Sequence, residues 1–318
     1  MYKLIRFYNQ NRRKILIIIL IIVFIIAIIQ ILNYFAKNKE NENSTKKNST
    51  STNYSNVQEL VSDKSAISGQ SISENKLKED TEIINQFFKY CNDGNIESAY
   101  EVLTDECKEE MFPTIDDFKK IYYINVFNGE TRTHTIENWS GDVYKVDITG
   151  DILSTGKLND LSTKQDYMTI VKKDGKNKLN INNYIGREEV NKTTENNDIK
   201  ITVKSIDTYI DYQIYDLSIE NNSNNSILLD TSEDTKSVYL LDKNKMKYYF
   251  YNNEIIQNKL QVQSKFSTNI KIKFANAYTS NRLIKSLVFS KMVLNYDEYA
   301  KSQNKNEYND FYEFKVNI

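Results

Sequence analysis

The chain has 318 residues and a formal net charge of −1, with 42 Lys and Arg residues against 43 Asp and Glu residues. This balance gives no electrostatic basis for binding nucleic acid. One histidine and two cysteines are too few for a metal site built from these residue types, and we expect neither a metal nor a cofactor.

An apolar run near the N-terminus predicts a membrane span. Residues 15–32 are apolar except for Gln30. As a helix they would cover about 27 Å, and continuation to Phe35 passes the ~30 Å of a bilayer's hydrocarbon core. We therefore expect a single transmembrane helix over residues 15–35.

The charges that flank this run predict its orientation. Residues 1–14 contain no acidic residue. Their positively charged residues are Lys3, Arg6, Arg12, Arg13 and Lys14. The positive-inside bias places this short segment in the cytoplasm and the bulk of the chain outside the cell membrane. A cleaved signal peptide is the alternative, but the run is longer than the ~7–15 apolar residues of such peptides and lacks an A-x-A-like site at its exit.

Residues 36–75 predict a disordered extracytoplasmic tether. The segment is rich in Asn, Ser, Thr, Lys and Glu and has almost no apolar residues, so it cannot bury enough surface to fold. At its end, Ser73-Glu-Asn-Lys76 matches the first element of penicillin-binding enzymes. The two other elements of that class are absent, which excludes this activity.

Residues 76–190 are expected to form one α+β domain. Apolar residues at helical spacing indicate three helices: one that ends near Gly94, a second directly after it, and a third that begins at Thr114. Thr114 and Asp117 have the spacing of a capping box. After the third helix the apolar residues alternate with polar ones, which predicts an antiparallel sheet. Asp174-Gly175 predicts a hairpin turn between two of its strands.

The rest of the chain is expected to be all-β. Residues 191–198 are polar and are interpreted as a linker. Residues 199–318 contain at least six stretches with a period of two, such as Phe266 to Phe274, and this pattern predicts a β-sandwich. The predicted fold class is therefore an N-terminal transmembrane helix, an α+β domain and an all-β sandwich.

Two parts of the chain resemble known families. Residues 81–110, with an Asn-Asp-Gly turn and an Ala-Tyr-containing second helix, resemble the opening of the NTF2-like family. That resemblance implies three helices on a curved antiparallel sheet. The stretches 203–206, 217–222 and 238–245 resemble extracytoplasmic immunoglobulin-like domains of the DUF4352 type. Both families are common behind a single membrane anchor in low-GC Gram-positive bacteria, and neither implies an activity.

Two residues are candidates for lining a pocket in the NTF2-like cone. Tyr144 is on the apolar face of its strand, where it either lines a pocket or belongs to the core. Asp147 is on the opposite face, so it is not positioned as a catalytic base of the ketosteroid isomerase kind. His134 is expected to face solvent, on the same strand face as Arg132. We expect no catalytic, cofactor-binding or metal-binding residue.

Cys91 and Cys107 are expected to be free, partly buried thiols. If their helices form a hairpin that turns at Gly94, about a dozen helical residues separate the two cysteines. This separation is far beyond the ~7 Å between Cα atoms that a disulfide can span.

Three functions remain open from the sequence. The first, which we favour, is a non-enzymatic protein that presents interaction surfaces to envelope or membrane proteins, one version being a component of a secretion or conjugation-type assembly. The second is a receptor-like module whose cone binds a small molecule or an envelope fragment. The third is a hydrolase or isomerase in that cone. A filled cone favours the first, and a deep apolar pocket with an inward carboxylate favours the other two.

Overall fold

A computed structural model of the protein describes residues 64–150, 163–231, 236–250, 260–280, 282–302 and 308–318. Strands take up 47% and helices 24% of this part of the chain. All of it falls within one unit that begins at Glu59.

The helices come first in the chain. Their bounds are α1 Glu74–Asn92, α2 Ile96–Glu101, α3 Asp105–Met111, α4 Ile115–Phe118 and α5 Ile124–Val126, with a π-helical turn at Lys119–Tyr123 between the last two. Ser73 caps α1, because its hydroxyl accepts the backbone N–H of Lys76. The predicted capping box at Thr114 and Asp117 is confirmed at the start of α4.

A four-stranded antiparallel sheet follows the helices. Its strands are β1 Arg132–Ser140, β2 Val143–Gly150, β3 Lys164–Lys173 and β4 Lys176–Asn180, in spatial order β1-β2-β3-β4. The predicted turn between β3 and β4 is confirmed, since Asp174 and Gly175 both have positive φ. The helices pack on this sheet and enclose a first core, which includes Phe87, Phe118, Tyr122, Tyr144, Val146 and Met168.

Two further four-stranded antiparallel sheets enclose a second core. The remaining strands are β5 Tyr184–Asn196, β6 Ile199–Tyr209, β7 Gln213–Asn221, β8 Ile227–Leu228, β9 Val238–Asp242, β10 Lys247–Tyr249, β11 Gln261–Val262, β12 Phe266–Phe274, β13 Ile284–Met292 and β14 Tyr312–Asn317. One sheet has the order β12-β7-β6-β5 and the other β10-β9-β13-β14, while β8 pairs with β11. A short helix, α6 Tyr296–Lys301, precedes β14. The second core includes Ile201, Leu217, Leu240, Ile272, Phe289 and Phe314.

The hairpin of β5 and β6 joins the two cores. Tyr184 at the start of β5 and Tyr209 at the end of β6 belong to the first core, whereas Ile199 and Ile201 belong to the second. The two strands connect through Asn197 and Asp198, both with positive φ. The linker expected over residues 191–198 is therefore a strand end and a tight turn.

The fold class expected from the sequence is wrong. The described residues are mostly β. Their helical part is one 19-residue helix followed by short helices, whereas the sequence predicts three helices at the start of a separate α+β domain. No helix in the described residues is long and apolar enough to cross a membrane. The expected span at 15–35 and the flanking segment 1–14, with Lys3, Arg6, Arg12, Arg13 and Lys14, lie outside the described residues.

The end of the expected tether is folded. Residues 36–63 lie outside the described residues, but Lys64 forms a β-bridge with Ser71. The backbone N–H of Ala66 donates to the carbonyl of Asn138, and the Ser65 hydroxyl donates to the carbonyl of Trp139. This segment therefore packs on the end of β1, where backbone hydrogen bonds stabilise it although it has few apolar residues.

Candidate functional site

Tyr144 belongs to the core. Its side chain is fully buried on β2, and its hydroxyl donates to the carboxylate of Asp80 at 2.7 Å. Asp80 also pairs with Lys76, one turn earlier on α1. Burial raises the pKa of Tyr144, so its hydroxyl keeps its proton and remains a hydrogen-bond donor.

His134 is half-buried and packs against α1, whereas the sequence predicts a side chain that faces solvent. Its ring stacks on Phe88 with 3.9 Å between ring centroids, and its Nε2 lies 2.7 Å from the amide oxygen of Asn85. Burial lowers the pKa of His134 to about 4. Arg132 is also buried. The strand face that carries both residues is covered by helix, which strand periodicity alone could not reveal.

An inward carboxylate exists in the first core, but structural contacts surround it. Asp166 on β3 accepts the Tyr122 hydroxyl at 2.7 Å and the backbone N–H groups of Asn182 and Asn183 at 3.0 and 2.9 Å. Burial raises the pKa of Asp166. These contacts fix the loop between β4 and β5 onto the sheet, and the tightly packed aromatic residues around them leave this carboxyl inside the core.

Arg187 connects the two parts of the fold. It is on β5, and its Nε and Nη2 donate to the fully buried carboxylate of Asp207 at 2.8 and 3.1 Å. Its Nη1 donates to Glu109 on α3 at 2.9 Å. Glu110, also on α3, pairs with Lys271 of β12 at 2.6 Å. These contacts join α3 to the sheet of β5, β6 and β12 as one network.

The two cysteines are free, as expected, and both are fully buried. Burial raises the pKa of each thiol, to about 12 for Cys107. A thiol that stays protonated is a poor nucleophile and a poor metal ligand. Among the residues that the structure describes, no group of three or more His, Cys, Asp and Glu side chains could hold a metal ion.

One surface cleft of the described residues lies beside the aromatic pair Trp139 and Tyr167, and we call it the Trp139 cleft. It has a volume of about 380 Å³. Its lining residues are Trp139, Gln165, Tyr167, Asn183, Ile210, Asp211, Ala277 and Thr279. The two rings meet edge to face with 5.2 Å between centroids. Asp211 and Thr279 are exposed at its rim, so the cleft combines aromatic surface with polar groups open to solvent.

The second cleft has a volume of about 330 Å³, and we call it the Arg282 cleft. Its lining includes Ile185, Arg187, Glu188, Thr208, Gln213, Asn276, Tyr278 and Arg282. Ala277 lines both clefts, so the segment after β12 separates them. Asn276 holds this segment in place: its amide donates to Gln213 at 2.7 Å, and its amide oxygen accepts the Ser280 hydroxyl at 2.9 Å.

Neither Tyr144 nor His134 lines either cleft. The residues that do line them come from β1, β3, β5, β6 and β7 and from the loops after β4, β6 and β12, and they are up to about 140 positions apart in the chain. No local pattern in the sequence marks them as neighbours. The Trp139 cleft could have been suspected only from the chain's one tryptophan, at the polar end of a predicted strand.

Comparison with known proteins identifies no family. No family model matches the chain, and no curated protein matches it. Solved structures that match include the yjhA protein from Bacillus subtilis, with 15% identity and a TM-score of 0.28 over 41% of this chain and 98% of that one. A conserved hypothetical protein from Bacillus anthracis matches with 13% identity and a TM-score of 0.23 over 42% of this chain and 96% of that one. The chain is similar to these two proteins only at this distant level.

Proposed function

We propose that the protein is a non-enzymatic, membrane-anchored protein of the cell envelope that holds a partner protein at the two adjoining clefts. The observation that carries this proposal is the contrast between its interior and its surface. The buried carboxylates of Asp80, Asp166 and Asp207 are all engaged by neighbouring donors. The Trp139 cleft, in contrast, presents aromatic and polar side chains to solvent, which is the composition of a protein-binding surface.

The anchor in this proposal is the apolar run 15–35, with residues 1–14 in the cytoplasm and the folded part outside. The length of the run and the five cations before it support this arrangement. Treatment of intact protoplasts with protease tests it. Loss of the large C-terminal part is expected, and its survival would overturn the orientation.

The partner is best sought by photo-crosslinking of the full chain in its native cells. A photoreactive residue at Gln165 or Thr279 places the probe in the Trp139 cleft, and the same residue at Lys176, the exposed first residue of β4, is the control. We expect a discrete set of envelope or membrane proteins from the cleft positions only. Addition of Asp211→Arg, an exposed rim change, should abolish the adducts of the Thr279 probe.

Equal adducts from the Lys176 probe, or adducts that Asp211→Arg leaves unchanged, would mean that the cleft does not hold the partner. Protein crosslinks absent at every cleft position would remove the protein-binding proposal.

The aromatic pair favours a second candidate function, binding of an envelope carbohydrate. Aromatic rings beside amide, carboxylate and hydroxyl groups suit the C–H faces and hydroxyl groups of a sugar, and Gln165, Asn183 and Asp211 supply such polar groups. Because Trp139 is the only tryptophan, its fluorescence reports this cleft selectively. Soluble cell-wall oligosaccharides should quench it, and Tyr167→Ala should weaken the binding. Tyr249→Ala, at an exposed tyrosine that lines neither cleft, should not.

A further inference from the structure

Two neighbouring segments form one tip of the second half of the fold, and we call it the lysine tip. They are residues 242–247, which connect β9 to β10, and residues 282–285, where β13 begins. The backbone N–H of Lys243 donates to the carbonyl of Leu283 at 3.0 Å, and Asp242 faces Ile284 across the β9–β13 ladder. The two segments therefore lie side by side.

Each segment exposes a large apolar side chain. Met246 is 58% exposed and Leu283 is 55% exposed. Exposed apolar side chains on two adjoining segments offer surface that another apolar phase can cover.

Cations lie on the same two segments as these side chains. Lys243, Lys245, Lys247 and Lys285 are exposed, and Arg282 belongs to the same segment as Leu283. Lys243, Lys245 and Lys285 make no ion pair with the part of the chain that the structure describes. Lys247 lies over the Tyr239 ring and Arg282 over the Tyr248 ring, and Glu313 is the acidic residue whose charge reaches Lys247.

The carboxylate within the two segments, that of Asp242, offsets part of the Arg282 charge. Asp242 is buried, and its oxygens accept the backbone N–H groups of Asn244 and Met246, both at 2.8 Å, and the Tyr248 hydroxyl at 3.1 Å. These bonds also fix the turn in which Lys245 has a φ of +64°. The apolar and basic side chains are therefore presented on a rigid turn.

We infer that the lysine tip docks on a membrane surface that contains anionic phospholipid, with Met246 and Leu283 in the interfacial region and the exposed lysines on the lipid phosphates. Charge complementarity selects this occupant, because cations near an anionic leaflet are attracted over a distance of about 10 Å at ordinary salt. Insertion of the two apolar side chains adds the burial that a soluble polyanion could not provide. The inference rests on the proposed membrane anchor, which keeps the tip near a lipid surface.

The test uses the full chain with Met246→Cys, labelled with an environment-sensitive fluorophore and reconstituted into lipid vesicles. Cys91 and Cys107 are 1% and 0% exposed, so the label attaches at position 246 alone. Vesicles of phosphatidylcholine are compared with vesicles that also contain phosphatidylglycerol. We expect a blue shift and a several-fold rise in emission only with phosphatidylglycerol, reversed by high salt. Phe266→Cys, at another exposed apolar side chain outside the tip, is the matched control and should show no shift.

A second variant separates charge from folding. Lys243→Gln with Lys245→Gln removes two exposed cations and should abolish the shift, with the circular dichroism spectrum unchanged. An equal shift in both vesicle types, no shift in either, or the same shift with inorganic polyphosphate and phosphatidylcholine vesicles would overturn the inference. Flotation of the protein is scored in parallel. If the protein floats with both vesicle types but shows no shift, the proposed anchor stands and only the docking inference fails. If the protein floats with neither vesicle type, both the anchor and the docking inference fail.

Discussion

Replacement of Arg187 by methionine should strongly destabilise the protein. Methionine keeps the apolar stem of the side chain and removes the guanidinium, so the packing on β5 is largely preserved. The Asp207 carboxylate, which is fully buried, would lose both donors from Arg187 and keep only the Tyr184 hydroxyl at 2.8 Å. A buried carboxylate without its cation is the costly species, since it has lost its water as well as its partner.

The size of the effect follows from these contacts. Loss of one partner of a buried ion pair costs about 3–5 kcal/mol. The contact of Arg187 with Glu109 adds little, because the Glu109 side chain is 73% exposed and exposed pairs contribute about 0–1 kcal/mol. The remaining hydroxyl of Tyr184 reduces the loss, so we expect Arg187→Met to lower the free energy of unfolding by about 3 kcal/mol. Arg187→Lys keeps the charge without the two-pronged geometry and should lose about half as much.

Urea unfolding of the full chain in detergent micelles measures both variants, with Trp139 fluorescence and circular dichroism as probes. Lys89→Met is the matched control, since it removes the cation of an exposed pair with Asp93 on α1. We expect the control to change the free energy of unfolding by less than about 0.5 kcal/mol. A loss of under about 1 kcal/mol in Arg187→Met would refute the reasoning that this network carries a buried charge.

Three further predictions concern single residues of the first half. Because the pKa of His134 is about 4 when folded and near 6.5 when unfolded, the unfolded state takes up its proton first as the pH falls. The contribution of neutral His134 to the free energy of unfolding should therefore be complete above about pH 6.5 and should decrease toward about pH 4, by up to about 3 kcal/mol. In urea titrations, His134→Gln should flatten this dependence of the free energy of unfolding on pH. Thr114→Ala removes the hydroxyl of the capping box, and calorimetry should show a loss of about 1 kcal/mol. Cys91 and Cys107 should react with a maleimide in urea and not in the native protein, as read by mass spectrometry; native labelling would show that the helices open.

Strand periodicity was the most reliable guide to this fold. The period of two over Phe266 to Phe274 predicts a half-buried strand, and this stretch is β12: Ile270, Ile272 and Phe274 belong to the second core, whereas Phe266 at the strand start is exposed. Edge strands gave no such signal. β5 is at the edge of its sheet, and its residues from Glu188 to Asn196 are mostly exposed polar side chains. Such a composition suits an edge strand and a linker equally well. The sequence alone therefore indicates a linker over residues 191–198, where the structure has the end of β5 and a turn.

In the helical half, the spacing of apolar residues predicts the helical stretch but not its hydrogen-bonding pattern. Apolar spacing over residues 115–126 indicated one continuous third helix, but a π-helical turn at Lys119–Tyr123 interrupts it. The spacing of apolar residues does not reveal whether the backbone hydrogen bonds of a helix are of the α or the π type. The contacts that define the candidate site were also beyond reach, because Arg187 meets Glu109 across 78 positions and Trp139 shares a cleft with Thr279. Only the folded topology brings such residues together.

The β5–β6 hairpin means that the two halves of the protein cannot be treated as exchangeable modules. A cut directly before Ile199 would deprive β6 of β5, one of its two neighbours, and leave the backbone N–H and C=O groups on that side on an open edge. An open edge rich in apolar residues pairs readily with other copies, so a fragment 199–318 should precipitate when expressed alone. Gene fusions, truncations and natural recombination at this apparent boundary would all meet the same obstacle, and the first core would lose Tyr209 as well.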